Sequence, residues 1–226
     1  YPGESGLKDI PGVLDGTVNP SGRLVDTWAK DFSQDPTYQN FGDNSQVTDG
    51  LLPNNTVYDK DGNVHYADGD EETLEYHSVD YAESIYLGYR YYETKATVMN
   101  EAEEGTGDAW YEQSVNYSFG YGLSYTTFKQ EIVGTPVTDG DKISFDVKVT
   151  NTGDVAGKEV VQVYYNPPYI PGGIEKASAN LVAFDKTDVI EPQATQTVTI
   201  SFDKRDMASW SLENGNYILE DGSYEI

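Results

Sequence analysis

Val115-Asn-Tyr-Ser-Phe-Gly-Tyr-Gly-Leu-Ser-Tyr-Thr-Thr-Phe128 packs aromatic and β-branched residues around two glycines. Tyr117, Phe119, Tyr121, Leu123 and Tyr125 recur at every second position, the period of a strand that buries one face. Gly120 and Gly122 fall between them. Glycine inside a strand pattern signals a bulge or a close approach by another backbone. Before this stretch the sequence is irregular, acidic and rich in tyrosine. After it the sequence becomes regular. The stretch therefore marks the seam between two bodies.

The regular part is read first. Ile143, Phe145, Val147 and Val149 alternate with polar residues, as do Val161, Val163 and Tyr165, and Val198, Ile200 and Phe202. Turn signals separate these runs: Asp139-Gly140-Asp141, Asn151-Thr152-Gly153-Asp154 and Glu191-Pro192-Gln193. Short strands with one apolar face and regular turns predict a two-sheet antiparallel sandwich of roughly 100 residues. Asn216 to Ile226 supplies at least part of a further strand. Such a sandwich carries its own core, so residues 115–226 are expected to fold alone.

The part before the seam is less regular. Leu7, Ile10, Val13 and Leu14 have helical spacing, and Pro11-Gly12 restricts that helix to a short one with Asp9 as N-cap. Asn19-Pro20-Ser21-Gly22 is a turn signal, after which Arg23 to Trp28 reads as a short strand. Residues 37–80 have no sustained period. Tyr81 to Glu93 is too rich in aromatic residues for a free loop and must lie against something. Arg90, set among tyrosines, is placed to stack on a ring or to pair with a carboxylate. Residues 94–112 read as acidic, glycine-containing loop.

Composition excludes several functions. The chain has 226 residues, 39 acidic against 14 basic, and a formal charge of −25. Phosphate backbones require a basic face, so nucleic acid is not expected as a partner, and an anionic membrane surface is disfavoured for the same reason. Acidic residues with 19 tyrosines suit a carbohydrate-handling surface, and equally an acidic surface over tyrosine-bearing strands. The absence of cysteine excludes a disulfide framework, a thiolate nucleophile and cysteine-ligated zinc. That usage fits a reducing compartment and also many secreted bacterial proteins. No apolar run approaches the roughly 20 residues of a membrane span. Tyr1 opens within a motif, which reads as a piece of something longer.

Metal and catalytic candidates are few. Asp59-Lys60-Asp61-Gly62-Asn63 resembles the start of a calcium loop, but such a loop needs glycine where Val64 stands and glutamate where Asp70 stands. The expectation is a plain Asp-Gly hairpin turn and no metal site. His65 and His77 have no ligand partner at a convincing spacing. The acidic run Asp68 to Glu72 reads as a solvated loop.

Several motifs together carry a resemblance. Tyr1-Pro-Gly-Glu-Ser-Gly6 followed by Asn19-Pro-Ser-Gly-Arg-Leu24 resembles the last part of the α/β sandwich domain of glycoside hydrolase family 3. Tyr81-Ala-Glu-Ser-Ile-Tyr-Leu-Gly-Tyr-Arg-Tyr-Tyr92 is similar to that family's inter-domain linker. Phe119-Gly-Tyr-Gly-Leu-Ser-Tyr-Thr-Thr-Phe128 is similar to the entry into its fibronectin type III-like domain. Val149 to Gly157, Glu159 to Tyr164 and Leu181 to Lys186 resemble later strands of that domain. The motifs run in order, except across about residues 43–75 and 95–112.

The resemblance implies a mixed fold. Residues 1–42 would end the α/β sandwich domain, 43–114 would form a tyrosine-rich acidic linker, and 115–226 would form the fibronectin type III-like β-sandwich. Two features depart from the usual pattern. Pro11-Gly12 interrupts a helix that the family usually keeps unbroken. Val25 to Trp28 with Asp35 to Gly42 resembles the members whose domain order is reversed.

The implied activity is that of a retaining β-glycosidase of β-glucosidase type, with a barrel domain as partner, a β-linked oligosaccharide as substrate and no cofactor. Retaining chemistry uses two carboxylates about 5–5.5 Å apart, one with its pKa raised for proton donation. Neither family catalytic motif is present, so no catalytic residue is assigned and the substrate-binding residues are undetermined. Glu4 is the nearest carboxylate, and its Pro-Gly-Glu-Ser-Gly setting matches a structural turn. The rival readings are a stand-alone carbohydrate-binding module using exposed tyrosines and a structural spacer.

Overall fold

The computed structural model of the chain describes residues 6–38, 56–58, 64–65, 76–78 and 81–226. Glu4, the Asp59 to Asn63 turn and the Asp68 to Glu72 run lie outside them. Residues Tyr1–Thr27 and Ser118–Ile226 form one compact unit, and Trp28–Tyr117 forms a second. The chain is mixed in helix and strand.

In the first unit, a 3-10 turn at Gly6–Asp9 leads into helix α1, Ile10–Leu14. Pro11 sits in its first turn, where the missing N–H costs nothing. Asp9 occupies the N-cap position, but its side chain makes no capping bond. The strand expected over Arg23 to Trp28 is confined to Trp28–Ala29, which belongs to the second unit.

That unit opens with β1, Trp28–Ala29, and continues with β2 (Thr56–Tyr58), β3 (Val64–His65) and β4 (Tyr76–Ser78). These last three pair antiparallel in the order β3-β2-β4. β2 and β3 pair with Val57 opposite His65 and Tyr58 opposite Val64. Helices α2 (Tyr89–Ala102) and α3 (Thr106–Ser114) follow, and β5 (Val115–Tyr117) returns to pair with β1.

The two helices overturn the loop expected over residues 94–112. Tyr92 and Ala96 are buried on one face of α2. Gly105 turns the chain at φ +80, and Gly107 lets α3 approach so closely that a Cβ there would lie 1.9 Å from the Ala96 carbonyl oxygen. The Asn100 side chain caps α3, its Oδ1 accepting from the Gly107 amide at 2.8 Å.

Chain regularity then resumes in the first unit with β6 (Phe128–Asp139), β7 (Lys142–Asn151), β8 (Val160–Tyr165), β9 (Asn180–Lys186) and β10 (Thr195–Asp203). Strands β11 (Ser209–Ser211) and β12 (Asn216–Ile218) form a last hairpin. One sheet has the order β10-β7-β6, and β8 pairs with β9, all antiparallel. The strand parities expected from sequence hold. Phe145, Val147 and Val149 of β7 meet Val161, Val163 and Tyr165 of β8 and Val198, Ile200 and Phe202 of β10 in one core. Ile143, at the strand end, is partly buried and packs against it. β6 is an edge strand, bulged between Val133 and Val137 around Gly134 and Pro136, which protects it from further pairing.

The opening stretch is not the strand its alternation suggested. Val115–Tyr117 pairs with β1 and Phe128 opens β6, but the residues between them form no ladder, and Tyr121, Leu123 and Tyr125 are exposed. Gly120 stands at φ +77, which turns the chain and ends the period.

Candidate functional site

The turn that replaces that strand is where the first unit ties its two stretches of chain together. The Leu24 amide donates to the Tyr121 carbonyl at 2.8 Å, and the Gly120 amide donates to the Leu24 carbonyl at 2.8 Å. Gly122 is the close approach that its sequence position signalled. A Cβ there would lie 2.3 Å from the Gly22 carbonyl oxygen and 2.6 Å from Arg23 Nη1. Gly122→Ala must push one backbone off another, an overpacking cost of about 1–3 kcal/mol. Thermal unfolding should show it, and an unshifted midpoint would contradict the packing.

Asn19 is the second tie. Its Nδ2 donates to the Ala156 carbonyl at 3.0 Å, while its Oδ1 accepts from the Tyr125 amide at 2.8 Å and from Ser124 Oγ at 3.1 Å. Arg23 is the third, pairing through Nη2 with Glu159 Oε1 at 2.5 Å. Both side chains are mostly shielded from water, and the Glu159 carboxylate also accepts from the Val160 amide at 2.8 Å. A buried pair with this extra hydrogen bond resists the loss of one partner, because the other charge would be stranded. The Asn19 and Arg23 ties bridge 105 to 137 residues of chain, which is why spacing alone did not reveal them.

Beneath them, Asn151 is fully buried and satisfies all four of its hydrogen-bonding positions. Nδ2 donates to the Val155 and Ile190 carbonyls at 2.8 and 2.9 Å, and Oδ1 accepts from Thr126 Oγ1 at 2.6 Å and from the Gly153 amide at 3.1 Å. The sequence marked Asn151 only as a turn residue.

The second unit contributes an aromatic cleft of about 120 Å³ between α2 and α3. Tyr92 stacks on Trp110 at 5.9 Å, and its hydroxyl donates to Asp35 Oδ2 at 3.1 Å. Burial and the Asp35 charge push the Tyr92 phenol well above its usual range. Lys95 Nζ lies 4.4 Å from the Trp110 ring centroid and donates to the Tyr91 hydroxyl at 3.0 Å. The helical spacing of Tyr92, Ala96 and Met99 was the signal for this cluster. Arg90 lies over the Tyr89 ring at 5.9 Å, the stacking option of the two expected for it, and among the described residues its buried Nε has no hydrogen-bond partner.

Among the described residues, the carboxylates whose acidity the fold moves are Asp15, Asp31 and Glu131, and all three move downward. Thr17 donates to Asp15, Ser33 donates to Asp31, and Lys129 and Lys148 surround Glu131. A glycosidase proton donor needs the opposite shift. Glu4 lies outside the described residues, as does the Asp59 loop. His65 and His77 occupy strand positions that both face Val57 in register, and their side chains lie outside the description. Among the described residues, no group of three or more His, Cys, Asp or Glu side chains could hold a metal ion. No helix among them is long and apolar enough to cross a membrane.

Known proteins share this arrangement. A fibronectin type III-like domain model matches residues 159–226. β-Glucosidase A of Butyrivibrio fibrisolvens is 34% identical over 232 residues, an alignment that takes in 95% of this chain and 22% of that protein. The structure of β-glucosidase 3B from Thermotoga neapolitana superposes with a TM-score of 0.68 at 31% identity, covering 98% of this chain and 24% of its own. The GH3 β-glucosidase of Bifidobacterium adolescentis gives a TM-score of 0.69 at 27% identity, over 98% of this chain and 25% of its own.

The chain matches, over nearly its whole length, a segment of glycoside hydrolase family 3 enzymes.

It spans about a quarter or less of the length of these relatives. Within the family 3 frame, the residues 159–226 of the domain match hold β8 to β12. The Arg23–Glu159 pair therefore joins the first residue of that match to the stretch around Asn19-Pro20-Ser21-Gly22.

Proposed function

We propose that this chain is the non-barrel portion of a retaining exo-β-glycosidase, a β-glucosidase releasing terminal β-D-glucosyl residues from oligosaccharides. The observation that carries the reading is that nearly the whole chain aligns with proteins named β-glucosidases, as a part of each. A stand-alone binding module is not favoured, because those relatives carry the same residues inside a much longer enzyme.

In this reading, residues 1–42 end the α/β sandwich domain, 43–114 link, and 115–226 are the fibronectin type III-like sandwich. The nucleophile and the acid/base belong to the rest of the protein, on a barrel and beside it. The chain's contribution is mechanical. The Asn19 and Arg23 ties brace the sandwich against the preceding segment, so that the domains carrying the carboxylates keep a fixed geometry. Retaining hydrolysis tolerates little error there, because displacements near 1 Å cost about a hundredfold in rate.

The test is an assay of the intact protein with 4-nitrophenyl β-D-glucopyranoside, beside the β-xyloside and N-acetyl-β-glucosaminide, with the first-formed anomer followed by NMR. Preferential glucoside turnover giving β-glucose first is expected. No turnover of the glucoside, or an inverted first product, would refute the reading.

A further inference from the structure

The hairpin of β11 and β12 carries Trp210 and Tyr217 directly opposite one another, on one face. Their rings meet edge to face at 5.2 Å, and both are exposed, Tyr217 by 71%. Their neighbour Ser211 is buried on the other side. A cross-strand aromatic pair steadies a two-stranded hairpin by itself. It does not require the surface that lies beside it.

Tyr217 and Leu219 floor an open basin of about 450 Å³, rimmed by Asp141, Lys204, Arg205 and Asp206. That volume falls in the range of small-ligand sites. The rim offers two carboxylates against two cations, so the basin itself carries no net charge. Arg205 is 85% exposed in its side chain, and its ion pair with Asp203 Oδ2 is long, at 4.0 Å, so its guanidinium faces water.

We propose that this basin and the adjoining Trp210–Tyr217 pair form a binding surface for a neutral β-linked glucan or its oligosaccharides. A pyranose ring has an apolar face of C–H groups and a rim of hydroxyls. The aromatic rings match the face, and the carboxylate and guanidinium groups match the hydroxyls as acceptors and donors. An anionic polymer would meet the overall charge of −25, and the rim has no excess of cations to offset it. The choice of a β-glucan rests on the proposed β-glucosidase function. The surface would hold polymer near the enzyme without taking part in hydrolysis.

The test is affinity electrophoresis of the 226-residue chain in gels containing barley β-glucan, amylose or no polysaccharide. Retardation by β-glucan alone is expected. The Trp210→Ala/Tyr217→Ala variant should lose at least about tenfold in association constant. Because that variant could loosen the hairpin, Arg205→Ala provides a second probe, at a fully solvated side chain. It should weaken retardation about threefold with an unchanged unfolding midpoint. Failure of β-glucan to retard the wild-type chain overturns the proposal, as does equal retardation of the double variant or a preference for amylose. Each of these leaves the β-glucosidase reading untouched, since that reading is measured on hydrolysis by the intact protein.

Discussion

Phe145→Ala should destabilise the sandwich by about 3–5 kcal/mol, the cost of lost transfer energy plus the cavity left behind. Phe145 is 7% exposed and stands opposite Ile200 in the core, between β7 and β10. That loss is a large share of the about 5–15 kcal/mol available to a domain. Lys148, of the opposite parity, faces outward, with Nζ 3.0 Å from Glu131 Oε2. Both partners are well exposed, so Lys148→Ala should cost no more than about 0.5 kcal/mol. Denaturant unfolding of the two variants checks the register. A one-residue slip would exchange the faces, so a mild Phe145→Ala beside a severe Lys148→Ala would show the strand inverted.

Asn151→Ala should be as damaging, again about 3–5 kcal/mol, for a different reason. It leaves the buried Thr126 hydroxyl and the part-buried Gly153 amide and Val155 carbonyl without their Asn151 partner, and takes one of two donors from the Ile190 carbonyl, which keeps the Gly157 amide; each unpaired buried group costs about 1–3 kcal/mol. The shape-preserving Asn151→Asp separates hydrogen bonding from volume. A buried carboxylate there loses both donors, and its folded-state pKa rises above the unfolded value. The folded state then binds the extra proton, so the variant's deficit relative to wild type should shrink as pH falls from 7 toward 4. A deficit independent of pH, or an Asn151→Ala loss below about 1 kcal/mol, would mean that the network is not satisfied as described.

The contrast between these residues shows what a sequence displays. Phe145 was legible because a half-buried strand repeats every two residues, and β7, β8 and β10 all keep that period. Asn151 was not, because its partners are brought in by the fold. Ile190 lies 39 residues away and Thr126 lies 25. The stretch from Tyr117 to Tyr125 misled for a related reason. Its alternation is real, but Gly120 turns the backbone and Gly122 admits the backbone of Gly22, so each aromatic meets different surroundings. In α2 and α3, the abundance of acidic residues and glycine hid the spacing of Tyr92, Ala96 and Met99. The Arg23–Glu159 pair could be anticipated only as two motifs of one family, without sign that they touch.

In the proposed function this chain braces a glycosidase and carries none of its chemistry. The most direct measurement is an assay of the purified 226-residue chain with 4-nitrophenyl β-D-glucopyranoside, beside its Glu4→Gln variant. No release of nitrophenol above the uncatalysed rate is the predicted result for both. Turnover that survives purification and disappears in Glu4→Gln would place a catalytic carboxylate in this chain and contradict the account.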